Sequence, residues 1–158
     1  MAEIDTKTAR AEKLVKKYML GAVAGGLVPV PLFNLAALIG LQLIMLHSLA
    51  TLYGVEFSSQ LGKAVLASLL GGTLPTSLSY NVVRFVKGMP GFGLATGIIS
   101  MALFGGASTY AIGKVFINHF ESGNTLLTFD PQQVRDYYAQ QFARAKEEVR
   151  MSFAGIKP

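Results

Sequence analysis

Residues 18–55 read YMLGAVAGGLVPVPLFNLAALIGLQLIMLHSLATLYGV, 38 residues between Lys17 and Glu56 without one Lys, Arg, Asp or Glu. A helix or strand on a water-facing surface needs a polar side, whereas about 20 apolar residues suffice to cross the hydrocarbon core of a bilayer. His47 is the only group in the stretch that titrates near neutral pH. The stretch therefore points to lipid as the solvent of this fold. Proline removes a helical hydrogen bond and pushes the residue before it towards extended geometry, so Val28-Pro29-Val30-Pro31 ends one helix and starts another. Tyr18–Leu27 is too short to span a bilayer alone. Leu32–Val55 corresponds to roughly 36 Å of helix, a full span with room for tilt.

Two further charge-free runs follow. Residues 64–83 form 20 residues between Lys63 and Arg84, with Gly71, Gly72 and Pro75 near the middle, and read as a broken or re-entrant span. Residues 88–113 form 26 residues between Lys87 and Lys114, open with the turn sequence Gly88-Met89-Pro90-Gly91, and stay apolar to about Phe120. Helix breaks are thus expected at Pro29, Pro31, Pro75 and Pro90. The expected fold is all-α: two Pro/Gly-broken helical hairpins, with tips near residues 28–31 and 89–91, flanked by amphipathic terminal helices. Broken helices at membrane depth are tolerated only where protein buries their freed backbone groups or they line a cavity. That requirement points to tertiary or homo-oligomeric packing.

The two ends are polar. Residues 6–22 read as a basic amphipathic helix, with Ala11, Leu14, Val15, Tyr18, Met19 and Ala22 on one side and Arg10, Lys13, Lys16 and Lys17 on the other. Such a helix either lies among lipid head groups or packs its apolar face on its own protein. Arg84 and Lys87 flank a turn and suit head-group anchoring by snorkelling. After a polar loop, Asp130-Pro131 reads as a helix start, with a cap residue and proline at the first helical position. Tyr138, Phe142, Val149 and Phe153 belong to an apolar stripe on this last helix that needs a partner, either another copy or another protein. The chain accordingly divides into a basic N-terminal helix (1–22), a membrane-embedded hairpin domain (23–120) and a polar loop with an amphipathic C-terminal helix (121–158).

Composition narrows the function classes. The 158 residues are 51% hydrophobic and 15% charged, against roughly 25% charged in ordinary globular domains. The net charge of +5 suits anionic head groups; no base-stacking aromatics accompany the basic residues and no nucleic-acid motif occurs. Zero cysteines remove disulfides, thiolate metal sites and cysteine catalysis. His47 and His119 have no acidic or cysteine partner at metal-ligand spacing, and neither a phosphate-binding loop nor a nucleophile elbow is present. No cofactor or enzymatic activity is expected. The N-terminus does not read as a cleaved signal peptide, because its apolar part begins only at Tyr18. Small residues four apart mark helix faces on which another backbone can approach closely: Gly21 and Gly25, Gly93 and Gly97, Ala64, Ser68 and Gly72, and later Gly106.

Val28-Pro29-Val30-Pro31, Leu52-Tyr53-Gly54-Val55 before an acidic residue, Lys63-Ala64 with Leu69-Leu70-Gly71-Gly72, Met89-Pro90-Gly91 and Tyr110-Ala111-Ile112-Gly113 stand in an order that resembles the YcjF-like, GTPase-associated bacterial membrane family of unknown function. In that family the proline pair is usually followed by glycine and aspartate, where this chain has Leu32-Phe33-Asn34. The resemblance implies membrane association, in the bacterial inner membrane, and a separate P-loop GTPase as partner; the basic residues at both ends favour cytoplasmic termini. It implies no reaction. The expected function is a non-enzymatic, self-associating scaffold or membrane-shaping module. The alternatives are a pore or transport module with broken helices lining a site, and a soluble helical domain that hides its apolar faces in a larger complex.

Overall fold

Five α-helices and a short 3-10 turn form residues 2–27, 31–73 and 92–155, the part of the chain that the computed structural model describes; no strand occurs among them. Side chains are described except at residue 4 and in 31–35, 71–73 and 92–100. In chain order the elements are α1 (Ala2–Gly26), α2 (Pro31–Tyr53), α3 (Ser59–Thr73), α4 (Phe92–Glu121), the 3-10 turn (Leu126–Thr128) and α5 (Pro131–Ala154).

The axis of the fold is α4, against which α1, α2, α3 and α5 all pack. Its middle is built of small residues: Ala102, Gly105, Gly106, Ala107, Ser108, Thr109, Ala111 and Gly113 are all buried. A helix without bulky side chains can be approached on several sides at once. α1 approaches most closely. A Cβ on Gly113 would stand 2.5 Å from both γ-carbons of Val15, and one on Gly106 would stand 2.5 Å from Val23 Cγ2. At Gly26 the obstacle is backbone, with Ala102 Cα 2.6 Å and Ala102 N 2.8 Å from the same imagined atom. α2 and α5 both touch α4 but share no contact among the described residues, so they occupy different sides of it.

The basic N-terminal segment and the short apolar segment after it are not two helices. No proline falls between Ala2 and Gly26, and the two run together as α1. Its apolar face is occupied by protein, with Ala11 and Val15 wholly buried and Ala22 nearly so. The helix stops at Gly26, and Pro31 is the first residue of α2. Pro29, Pro75, Pro90, Arg84 and Lys87 lie outside the described residues. Gly71 and Gly72 continue α3 as helix to Thr73.

At the other end of the bundle, two helices finish in the same way. Gly54 (φ 68°) follows α2 and Gly123 (φ 79°) follows α4. The Val55 N–H reaches Ala50 O at 2.8 Å and the Asn124 N–H reaches His119 O at 3.2 Å, while each glycine N–H bonds three residues back. These are Schellman ends, in which a left-handed residue lets the chain cap its own last carbonyls. Phe116 then stacks on Phe129 with centroids 4.9 Å apart, and His119 Nε2 lies 2.8 Å from Thr125 O, which pins the loop to α4. α5 begins on Asp130, whose carboxylate accepts the Gln132 N–H at 3.0 Å, with Pro131 at the first position. α3 lies across this end. Val65, Leu66, Leu69 and Leu70 are buried, and its neighbours are α2, α4, α5 and the 3-10 turn.

Polar links clamp the same end. Lys114 Nζ donates to Glu12 Oε1 at 2.8 Å. Tyr53 OH donates to Glu121 Oε1 at 2.9 Å, and the Thr8 hydroxyl donates to the same oxygen. The Lys114 hydrogen bond holds the Glu12 carboxyl below its ordinary value of 4.5, against the upward pull of burial; the charges of Lys114 and Lys16 add to it. Burial would lower the Lys114 ammonium, but the hydrogen bond and charge of Glu12 reverse this and hold it above its ordinary 10.5.

Two predictions follow from this packing. Gly26→Ala meets backbone that cannot swing aside, and overpacking of that kind costs about 1–3 kcal/mol. Gly25→Ala meets nothing within 4 Å and gains up to about 1 kcal/mol of helix propensity. Denaturant unfolding in detergent should therefore move in opposite directions for these adjacent glycines, and the same sign for both would contradict the close approach. For the ion pair, a depressed carboxyl stabilises above its ordinary pKa and loses that effect as pH falls through the folded value. A raised ammonium stabilises below its ordinary pKa and loses that effect as pH rises through the folded value. The pair thus contributes fully between pH 4.5 and 10.5. Because Glu12 is 44% exposed, screening limits the gain to about 1 kcal/mol. Thermal melting of wild type against Glu12→Gln should show a difference that shrinks below pH 4.5; a constant difference would remove the ion pair as its cause.

Candidate functional site

One face of α1 carries Arg10, Lys13, Lys17, Leu20, Ala24 and Leu27, spaced three and four apart and all exposed. The stripe is basic up to Lys17 and apolar from Leu20 onward, with Leu20 63% and Leu27 42% exposed. Lys16 is exposed beside it. Opposite faces of the same turns are buried against α4, so the stripe looks away from the bundle.

The outer face of α2 changes character in the opposite direction along the chain. Ala36 and Ala37 are exposed near its start and Ile44 just past its middle, and His47 and Thr51 nearer its end. Nothing lies within 4 Å of a Cβ placed on Gly40. The hydroxyls of Tyr18 and Ser48, 3.3 Å apart, fix the relative height of the two helices. Their apolar-to-polar changeovers therefore fall at one level. Ala36–Tyr53 is the one helical stretch among the described residues long and apolar enough to cross a membrane, and 33% of it is buried.

Between the apolar halves of α1 and α2 lies a shallow apolar cavity of about 100 Å³, with Gly21, Gly25, Ala37, Leu38, Leu41 and Gly105 in its lining. Gly21 and Gly25 thus sit at an open groove rather than at a tight contact. The close helix contacts are made by Gly26, Gly105, Gly106 and Gly113. Ala64 and Ser68 are exposed on α3. Gly72, Gly93 and Gly97 are described only as helical backbone. The aromatic stripe of α5 faces inward: Tyr138 is wholly buried, Val149 nearly so, and Phe142 meets Phe104 edge-on at 6.0 Å, while Phe153 is half-buried. A self-association surface made from Tyr138, Phe142 and Val149 would require this packing to open.

Three polar residues invisible to spacing arguments lie between α2 and α4. Gln42 is wholly buried, and its Nε2 donates to Ser108 Oγ and Thr109 Oγ1, each at 3.1 Å. Its Oε1 has no hydrogen-bond partner among the described residues. Buried polar groups demand partners, so this bridge fixes the rotation and register of α2 on α4. The one sequence signal for it is Gln42 itself, an amide inside an otherwise apolar turn.

Among the described residues no group of three or more His, Cys, Asp or Glu is placed to hold a metal. His47 is exposed against the Phe57 ring at 4.9 Å, and His119 is buried in the loop-pinning aromatic cluster.

Among known proteins, no solved structure matches this chain. The protein named Magnetosome membrane protein 22, from Magnetospirillum gryphiswaldense, is 43% identical over 137 residues, which cover 86% of this chain and 70% of that protein. A family model matches residues 4–147, from α1 into α5, and this chain belongs to that family, described as Domain of unknown function (DUF697).

Proposed function

We propose that the chain is a non-enzymatic, membrane-embedded helical module of the bacterial inner membrane, with cytoplasmic termini, that self-associates as a scaffold or membrane-shaping element. The observation that carries this reading is the shared apolar face of α1 and α2, made by Leu20, Ala24, Leu27, Ala36, Ala37 and Ile44, all exposed. Exposed apolar side chains of this size, grouped on one side of a bundle, need a cover that is not water. The magnetosome membrane relative supports lipid as that cover. Self-association is supported by the small residues Gly21, Gly25 and Ala37 at this exposed groove, since small residues let another backbone approach closely. A separate P-loop GTPase as partner rests on the resemblance to the YcjF-like family. The pore reading drew on helix breaks at residues 28–31 and 71–75; α1 ends at Gly26 and α2 starts at Pro31, whereas Gly71 and Gly72 continue α3 and Pro75 lies outside the described residues.

Membrane fractionation tests the reading. Wild type should stay with the membrane through an alkaline carbonate wash. An aspartate at membrane depth costs about 2.5–3.5 kcal/mol, so Ile44→Asp should lower retention by about a hundredfold, while Gln140→Asp on the water side of α5 should leave it unchanged. Wild type in the aqueous fraction would end the proposal.

A further inference from the structure

We infer that the α1–α2 hairpin enters a single leaflet of an anionic bilayer and does not cross it, with α5 left in water. This rests on the membrane reading above and adds depth, orientation and lipid chemistry to it. Height along the bundle is fixed by contacts: Gly106 on α4 lies against both Val23 of α1 and Val149 of α5. Val23 is in the middle of the apolar half of α1. At that same height α5 exposes Lys146, Glu147, Glu148 and Arg150, with Arg150 and Glu147 paired at 3.0 Å and both well solvated. A bundle standing across the bilayer would carry those four charges into hydrocarbon, where ionised side chains are strongly disfavoured. α2 and α5 lie on different sides of α4, so an oblique pose puts α2 in lipid and keeps α5 out.

From the Tyr18–Ser48 level, α1 runs about 12 Å to Gly26 and α2 about 26 Å to Pro31, at 1.5 Å per residue. One leaflet of a roughly 30 Å hydrocarbon core is about 15 Å, so an oblique α2, and not an upright one, stays within it. Below that level the outward stripe presents Arg10, Lys13 and Lys17, with Lys16 beside it. Four cations standing where head groups would begin match a negatively charged lipid surface.

Labelling a single cysteine in this cysteine-free chain tests the topology, using a membrane-impermeant maleimide on spheroplasts and on inside-out vesicles from the expressing cells. Leu27→Cys, at the hairpin tip, should be protected from both faces until detergent is added, and Arg144→Cys should react from one face. If Leu27→Cys reacts from the face opposite Arg144→Cys, the hairpin crosses; the inference fails and the membrane reading stands. If both react from the same face, the hairpin is not in lipid and both readings fail. For the lipid chemistry, purified Lys13→Gln/Lys17→Gln chain should bind phosphatidylglycerol-containing vesicles roughly thirtyfold more weakly than wild type, by the per-residue attraction of cations to anionic membranes. Its binding to phosphatidylcholine vesicles should be unchanged. An equal loss on both, or no loss, overturns the anionic surface; an unchanged circular dichroism spectrum excludes misfolding as the cause.

Discussion

Everything described here depends on the close approach of α1 to α4. Val15 fills the space above Gly113, Val23 fills that above Gly106, and at Gly26 the two backbones meet at Ala102. Backbones this near leave little freedom for α1 to rotate, because any rotation drives a side chain into the opposite helix. The face that looks outward is thereby chosen. With valines of α1 seated over glycines of α4, dispersion contacts and close approach stabilise the pair, the mode of helix association that works in lipid as well as in water.

That fixed rotation turns an ordinary amphipathic helix into one with two successive surfaces. The inward side is apolar at Ala11, Val15 and Ala22, with Thr8 and Glu12 bonded to α4 near its start. The outward stripe is basic for its first half and apolar for its second, and α2 repeats the change at the same height through the Tyr18–Ser48 contact. The Gln42 bridge to Ser108 and Thr109 does for α2 what the glycines do for α1, setting which residues face out. The polar clamps, Glu12 with Lys114 and Glu121 with Tyr53 and Thr8, gather at the basic end, where water or head groups screen them. Among the described residues, α2 carries no Lys, Arg, Asp or Glu, and the charges of α4 lie at its last two turns.

The all-helical class was legible from the long uncharged runs, and the end of α1 and start of α2 from the proline pair, since proline acts locally. The start of α5 was legible for the same reason: Asp130 and Pro131 act on their own neighbours. Pairing between helices was not. The spacing of Gly21 and Gly25 suggested a contact, yet the tight contacts fall on Gly106, which spacing also named, and on Gly26, Gly105 and Gly113, which it did not. Several glycines offered similar spacings, and the choice among them is made by the partner helix, which one-dimensional spacing does not contain. The continuity of α1 was obscured by a change of composition at Tyr18. That change marks a change of surroundings, not a break in the hydrogen-bond ladder. Tyr138, Phe142 and Val149 read as a stripe in want of a partner, and the partner is α4 of the same chain. The Gln42 bridge depends on two hydroxyls distant in sequence and gives no local sign.

The central claim is that one outward face of α2 touches lipid at its start and water at its end. Nitroxide side chains placed singly from Ala36 to Thr51, on the chain bound to vesicles, measure this directly through their collisions with oxygen and with a water-soluble nickel complex. Positions 36, 37, 40 and 44 should collide with oxygen and be shielded from nickel, and positions 47 and 51 should show the reverse. Uniform access of nickel along that face would contradict the claim.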